Sequence, residues 1–236
     1  MAARKHERPD MTHPQKLDQP EKYWDRLFAP SSCLAMITTV DAAGRVNAAS
    51  FGTCVRVNHA PVYIAFTANV ATERALGHTA SNVLATGEFV VNLPAFDRAS
   101  LEKVRVVGLP FARGVDELAP AGLTAIAARR VRPPRILECP RHFECEVEWT
   151  RQWLHRLMVV GKVVAASVDA DKVDADGYVL WDRVKPAHYC GAPYGGLFVA
   201  AHDTMEVGIP YEGPEVALHH ANEQAMFGQV PRSRSS

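Results

Sequence analysis

A chain of 236 residues, 47% hydrophobic and 22% charged, has the composition of an ordinary globular protein and is most simply interpreted as one domain. Its 26 basic residues balance its 26 acidic residues, which argues against nucleic acid or an anionic membrane as a partner. No apolar run reaches the roughly 18 to 20 residues that cross a bilayer. The charged start is followed by no apolar stretch, so we expect a cytoplasmic protein. Five cysteines without a C-x-x-C pair predict neither a disulfide framework nor a structural zinc site.

The two ends of the chain differ in composition from its middle. Residues 1–20 are polar, contain three prolines and lack an apolar period, which predicts a flexible N-terminal arm. Residues 206–236 end in a segment rich in serine and arginine, and we interpret them as a C-terminal tail. The folded domain is therefore predicted over residues 21–205.

Short β-rich runs open the predicted domain. Residues 34–40 and 46–51 flank the turn sequence at 41–45, which is typical of a hairpin. The second run continues or restarts at 54–57, and another strand is predicted at 62–67. Successive short strands joined by turns predict an antiparallel sheet or barrel.

Helices and longer strands follow in the second part of the domain. An apolar period near 3.6 predicts a helix over residues 72–86 that stops at Gly87 and crosses one mouth of the barrel, and a second helix is predicted over 99–106. Residues 108–123 are interpreted as loop-rich. Three more strands are predicted, at residues 89–93, 143–149 and 157–168, the second of them with one acidic, solvent-facing side. The prediction is a mainly β protein with six to eight strands and two or three decorating helices.

Small hydroxyl side chains lie beside these β-branched runs. They occur in residues 50–53 (Ser-Phe-Gly-Thr), 78–82 (His-Thr-Ala-Ser-Asn) and 86–92 (Thr-Gly-Glu-Phe-Val-Val-Asn). Hydroxyls at strand ends, near backbone N–H groups that turns leave free, can hold a phosphate and a flat polar ring without placing a charge against them. The pattern therefore predicts a cofactor site.

The same segments resemble the flavin reductase-like, FMN-binding split β-barrel family, which includes flavoredoxin and the reductase components of two-component monooxygenases. The resemblance covers roughly residues 30–202, and its most specific string is Thr-Gly-Glu-Phe-Val-Val-Asn at 86–92. It implies an antiparallel FMN-binding split β-barrel. It also implies a homodimer with FMN near the subunit seam, and NAD(P)H as the co-substrate.

The resemblance also assigns residues to the cofactor. Ser50, Phe51 and Thr53 would follow the flavin, and Thr79 and Asn82 would lie near its phosphate or ribityl chain. Relatives usually carry a Lys-Asp pair before the position of Thr79, and this chain has Gly77 and His78 there. Arg74, about one helical turn before His78, is therefore taken as the cation for the phosphate. The whole set, mostly uncharged strand and helix residues, is Ser50, Phe51, Thr53, Thr67, Ala68, Arg74, Thr79 and Asn82. Each has an ordinary alternative as a water-facing strand residue, a helix cap or a solvated helix side chain.

No acid or base is assigned to catalysis, because a flavin carries out hydride transfer by its own chemistry. His188, beside Tyr189, is the one catalytic candidate, since a neutral imidazole can stack on or hydrogen-bond to a flavin or substrate. An exposed histidine without a function is the alternative. No metal site is predicted, because the side chains of His219 and His220 diverge and no carboxylate spacing completes a ligand set.

Three functional hypotheses follow. The first is an oxidoreductase that moves hydride from NAD(P)H to FMN and on to an acceptor, either a partner monooxygenase or a small molecule. The second keeps FMN as a prosthetic group that acts on one specific small organic substrate. The third is a non-catalytic flavin- or heme-binding module, in which His142 would be the axial ligand. Without a G-x-G-x-x-G motif, the choice between NADH and NADPH stays open.

Overall fold

The long strands of this chain close into a six-stranded antiparallel barrel. The computed structural model describes residues 16–30, 32–70, 77–191, 195–205 and 207–227. Its strands are β1 (Cys33–Val40), β2 (Val46–His59), β3 (Val62–Asn69), β4 (Glu88–Leu93), β5 (Ala125–Ile126), β6 (Arg135–Ile136), β7 (Arg141–Trp153), β8 (Arg156–Val168), β9 (Ala187–Tyr189) and β10 (Phe198–Ala200). Its α-helices are α1 (Trp24–Leu27), α2 (His78–Thr86), α3 (Arg98–Val107), α4 (Trp181–Val184) and α5 (Pro214–Phe227).

The barrel order is β1-β2-β3-β8-β7-β4, and pairing of β4 with β1 closes it. Strands β9 and β10 extend the sheet beside β1, while β5 and β6 form a separate two-stranded ribbon. The predicted hairpin is confirmed by the β1–β2 register, which pairs Val40 with Val46. The prediction of a mainly β, antiparallel barrel with a few helices is therefore confirmed.

An aromatic stack fills the barrel interior. The rings of Phe51 and Phe66, and those of Phe66 and Phe89, meet edge to face with centroids 5.1 Å apart in both pairs. These rings pack with the β-branched residues Ile37 and Val91, which alternate with outward residues along their strands. Edge-to-face aromatic pairs add about 0.5–1.5 kcal/mol beyond area burial, so the stack ties β2, β3 and β4 together.

A second apolar cluster lies outside the barrel, between its wall and α3. Leu34 and Met36 of β1 face this cluster, whereas Ala35 and Ile37 of the same strand face the barrel interior. Strand β1 is consequently buried on both faces, in keeping with its nearly continuous apolar sequence. Helix α3 begins at its N-cap Asp97, whose side chain accepts a hydrogen bond from the backbone of Ser100 at 2.9 Å.

The acidic face predicted for β7 is wrong at its first member. Glu144 is only 1% exposed. Its carboxylate accepts hydrogen bonds from the backbone N–H groups of Arg129 and Arg130, at 2.9 and 2.7 Å, and lies 3.8 Å from the guanidinium of Arg135. The loop before β6 crosses β7 at this point and supplies the backbone N–H donors to the Glu144 carboxylate. Strand alternation alone would place this carboxylate in water. Glu146 and Glu148 are exposed, as predicted.

Helix α2 ends where the sequence predicts, because Gly87 adopts a left-handed φ of 72° and its N–H bonds back to Val83. Residues 72–76 of the predicted helix lie outside the described residues. The range interpreted as a tail contains α5, so it is helical in part. Among the described residues, no helix combines the length and apolar character that a membrane crossing requires.

A prediction follows from the packing of Gly161 in β8 against the aromatic stack. A Cβ added at Gly161 would lie 2.4 Å from the ring of Phe89 and 3.1 Å from Cys145, both fully buried. Gly161→Ala should therefore lower the free energy of unfolding by about 1–3 kcal/mol through overpacking, measured by urea denaturation. Gly208→Ala is the control, since a Cβ there meets no atom within 4 Å. Equal stability of the two variants would contradict this account of the core.

Candidate functional site

A β-bulge in β2 decides which side chains reach the outer surface. Between the pairs Cys33–Cys54 and Ala35–Phe51, β1 advances two residues while β2 advances three. Both Phe51 and Cys54 pack in the barrel core, so the two residues between them open outward. Bulges of this kind are frequent beside active sites because they redirect a side chain without ending the sheet.

The outward residue Thr53 meets a second threonine on the neighbouring strand. Its Oγ1 accepts from the backbone N–H of Thr67 at 3.2 Å and lies 3.1 Å from the Thr67 hydroxyl. Thr53 is exposed, so this hydroxyl pair can offer hydrogen bonds to a ligand. Ala68, the next residue on β3, turns its methyl group into the core and has only its backbone available.

A cation lies at the end of β3, near the threonine pair. Arg156 of β8 pairs in register with Asn69, and its Nη1 donates a hydrogen bond to the Asn69 amide oxygen. The start of α2 approaches the same point, since a Cβ added at Gly77 would lie 2.7 Å from the Asn69 carbonyl oxygen. Sequence reasoning missed Arg156, because its position depends on the β3–β8 pairing. Arg74, the cation assigned from sequence, lies outside the described residues.

A cavity of about 250 Å³ adjoins the outer face of β2 at Ser50 and Gly52. Two glycines allow the surrounding elements to approach: a Cβ at Gly52 would lie 2.8 Å from the Tyr189 ring, and one at Gly108 would lie 2.7 Å from the Ser50 hydroxyl. The side chains that matter for its chemistry are Leu34, Ser50, Arg105, Leu109, Tyr189 and Phe198. Among the described residues of this lining, the charged group is a guanidinium and there is no carboxylate.

Thr79 and Asn82 point into the protein, at 3% and 5% exposure. Asn82 donates from Nδ2 to the Thr39 hydroxyl at 3.0 Å. With the Asn47 amide oriented to satisfy its neighbours, its oxygen accepts from the Thr79 hydroxyl at 3.1 Å and its nitrogen donates to Glu117 at 3.2 Å. These hydrogen bonds fasten α2 to β1 and β2. Both side chains are thus neither helix caps nor on an exposed helical face, which were the alternatives drawn from sequence.

The two histidine candidates have different surroundings. His188 lies on β9 opposite Cys33, and its Nδ1 is buried without a hydrogen-bond partner among the described residues. Both ring nitrogens of His142 are engaged, with the Ile136 carbonyl at 2.8 Å and the Ser167 hydroxyl at 3.1 Å. Burial lowers the pKa of His142, which favours the neutral ring. In this conformation His142 presents no free nitrogen to a heme iron.

The structure therefore divides the residues assigned from sequence into two groups. Ser50, Thr53 and Thr67 lie on the outer face of β2 and β3. The side chains of the other four described residues turn into the protein: Phe51, Ala68, Thr79 and Asn82.

Comparison with known proteins identifies the family. Residues 30–190 match the family described as flavin reductase like domain, and the chain belongs to this family. The uncharacterized protein YwrF of Bacillus subtilis is 31% identical over 161 residues, which is 65% of this chain and 77% of that protein. Nitrilotriacetate monooxygenase component B from Bacillus cereus aligns with a TM-score of 0.71 at 19% identity, over 83% of this chain and 99% of that chain. Flavoredoxin from Methanosarcina acetivorans aligns with a TM-score of 0.68 at 19% identity, over 84% and 97%. The family predicted from sequence is confirmed.

The buried network around α2 generates a second prediction. Asn82→Ala should lower the free energy of unfolding by about 1–3 kcal/mol, because the fully buried Thr39 hydroxyl loses a partner. Asn58→Ala, which removes an exposed hydrogen bond to Pro61, should cost about 0.5 kcal/mol or less. Urea denaturation measures both. A stable Asn82→Ala protein with strongly reduced flavin binding would instead make Asn82 a direct ligand.

Thiol chemistry provides a third prediction. Burial raises the pKa of Cys54 to about 12 and raises the pKa values of Cys139 and Cys145, so these thiols stay protonated at pH 8. Cys33 is exposed, whereas Cys190 is buried. A thiol reagent at pH 8 should therefore modify one cysteine rapidly in the folded protein and all five in urea. Cys33→Ser should abolish the rapid phase, and persistence of that phase would contradict the burial of the other cysteines.

Proposed function

We propose that the protein is an FMN-dependent oxidoreductase that uses NAD(P)H as hydride donor. The observation that carries the proposal is a continuous outer strip on the barrel. It runs from Arg156 past the Thr53–Thr67 pair to the cavity at Ser50. The strip offers a cation and hydroxyl donors at one end and, at the other, the strand surface of Ser50 and Gly52 beside an apolar cavity. FMN has the same order, with a phosphate and ribityl chain at one end and a flat ring at the other, and the ring would lie over this strand surface, next to the cavity.

The residues present fit this cofactor. Arg156 and the two threonine hydroxyls would hold the phosphate and ribityl end, and Ser50 with the backbone of Gly52 would meet the ring. Gly52 leaves room there, because a side chain at this position would collide with Tyr189. Thr79 and Asn82 would act as positioning residues that hold α2 against β1 and β2. When bound, FMN supplies the two-electron chemistry, so the chain needs to orient and shield rather than to donate an acid or base.

The surroundings of the cavity suit a flavin ring that lies beside it and gathers negative charge when it is reduced. Leu34 and Phe198 supply apolar surface to the cavity, and its described lining residues include no carboxylate that would repel the ring. His188 precedes Tyr189 on β9 and is not among the described residues that line the cavity. A contact between a ligand outside the cavity and its Nδ1, which is buried without a hydrogen-bond partner among the described residues, is part of this proposal. Its contribution would be orientation by a hydrogen bond.

The electron acceptor has two candidate classes. A partner monooxygenase is one, by likeness to nitrilotriacetate monooxygenase component B. The other is a specific small organic substrate with FMN kept as a prosthetic group, and the discrete cavity beside Ser50 favours it. Steady-state turnover of added free FMN discriminates between them, since a reductase serving a partner should turn it over rapidly and a prosthetic-flavin enzyme should not.

A homodimer is part of the proposal. Large apolar side chains on the barrel wall are exposed, including Val55 and Val57 of β2 and Trp149 and Trp153 of β7. Exposed apolar patches of this kind often mark subunit interfaces. Sedimentation equilibrium tests this part, and a monomer at micromolar concentration would contradict it.

The main experiment identifies the chromophore and its reductant. The purified protein should carry or take up FMN, identified by its absorbance and mass. NADH or NADPH should bleach the flavin band under anaerobic conditions. A colourless protein that takes up no FMN would refute the proposal. A protein that holds FMN but is reduced by neither nucleotide would favour a non-catalytic flavin-binding module.

Variants on the strip provide the fourth prediction. Thr53→Val and Arg156→Gln should each raise the FMN dissociation constant about tenfold, the effect of losing one hydrogen bond worth about 1.4 kcal/mol. Fluorescence quenching of FMN on titration measures this constant. Thr204→Val and Arg98→Gln are the matched controls, because both side chains are exposed and remote in sequence from the strip. Unchanged affinity in both strip variants would place the phosphate elsewhere.

A further inference from the structure

One exposed guanidinium at the edge of the cavity beside Ser50 has no counter-charge among the described residues. Arg105, on α3, lines this cavity and forms no ion pair with any described residue. Arg98 on the same helix, by contrast, lies 3.5 Å from Glu102. The backbone at Gly196 packs closely against the Arg105 side chain, since a Cβ added at Gly196 would lie 3.1 Å from Nη1 of Arg105. A cation at an apolar cavity, without a carboxylate partner, is suited to an anionic ligand.

The rest of the cavity is suited to a flat ring. The rings of Tyr189 and Phe198 lie with centroids 5.4 Å apart. The Tyr189 hydroxyl points away to donate to the Gly195 carbonyl at 2.9 Å, which leaves the ring of Tyr189 as its cavity-lining part. Leu34 and Leu109 add apolar surface, and the Ser50 hydroxyl is the second polar group of the lining. Aromatic and apolar walls with few convergent polar groups are typical of small-molecule sites.

The volume limits the size of the group that the cavity can enclose. A cavity of about 150 Å³ holds a benzene molecule, and this cavity measures about 250 Å³. It can therefore hold one ring with one or two small substituents. Sites for larger ligands occupy about 300–1,000 Å³, so the cavity is too small for a tricyclic flavin together with its ribityl chain.

We propose that this cavity is the subsite for an organic substrate with a single aromatic or heteroaromatic ring and a carboxylate. The carboxylate pairs with Arg105 through two parallel hydrogen bonds, and the ring packs against Tyr189 and Phe198. Bound in this way, the substrate lies next to Ser50, the residue assigned to the flavin ring. The inference rests on the proposed function and deepens it, because it names the chemical class of the small-molecule acceptor.

Calorimetric titration of the FMN-loaded protein with two probes tests the subsite. Benzoate carries the carboxylate and benzamide is its neutral counterpart of nearly equal shape. Benzoate should bind at least about tenfold more tightly than benzamide, as expected for a charge-assisted bidentate pair. Arg105→Gln should remove this preference and Arg105→Lys should retain part of it, while Arg98→Gln should leave it unchanged.

Three results would overturn the subsite. The first is that benzoate does not bind measurably, and the second is that Arg105→Gln keeps the preference for benzoate over benzamide. The third is that benzoate binds the FMN-free protein but not the FMN-loaded protein. The last result would mean that the flavin ring itself occupies the cavity. Uptake of FMN is scored separately by absorbance. Failure of FMN binding therefore refutes the proposed function, whereas intact FMN binding without a benzoate preference refutes the subsite alone.

Discussion

The bulge in β2 is the constraint on which the candidate site depends. One extra residue lets Phe51 and Cys54 both remain in the barrel core, so Gly52 and Thr53 open outward together. The edge-to-face contact of Phe51 with Phe66 anchors the inner side of this distortion. Core packing and surface chemistry are therefore coupled in one strand, because a shift in register would bury the hydroxyl and expose the aromatic ring.

Burial of β1 on both faces accounts for the cavity beside β2. The outer apolar cluster needs α3 and the loop that follows it as a cover, and that cover leaves a cavity where Gly52 and Gly108 allow close approach. On the other side, Glu117 reaches from the same loop to the buried amide of Ala48 at 2.9 Å and joins the network that holds α2. The loop between α3 and β5 thus serves both the cavity and the anchoring of α2.

Much of the architecture could be predicted from local sequence. The hairpin at Val40 and Val46, the stop of α2 at Gly87 and the family string ending at Asn92 all reflect alternation, turn chemistry and residue order. The buried Glu144 could not be predicted, because its donors come from a loop some fifteen residues earlier, at Arg129. Strand alternation describes a face of a strand, and it does not reveal what covers that face.

The sequence by itself determined the fold class, the family and the general kind of chemistry, because these depend on patterns within short segments and on their order. The tertiary structure alone decided which polar groups lie on the outer face of the barrel and which are buried. It turned Thr79 and Asn82 inward, paired Thr53 with Thr67, and brought Arg156 and Arg105 to opposite ends of one strip. Each of these outcomes depends on strand register or on packing between distant segments, and neither is encoded in the spacing of neighbouring residues.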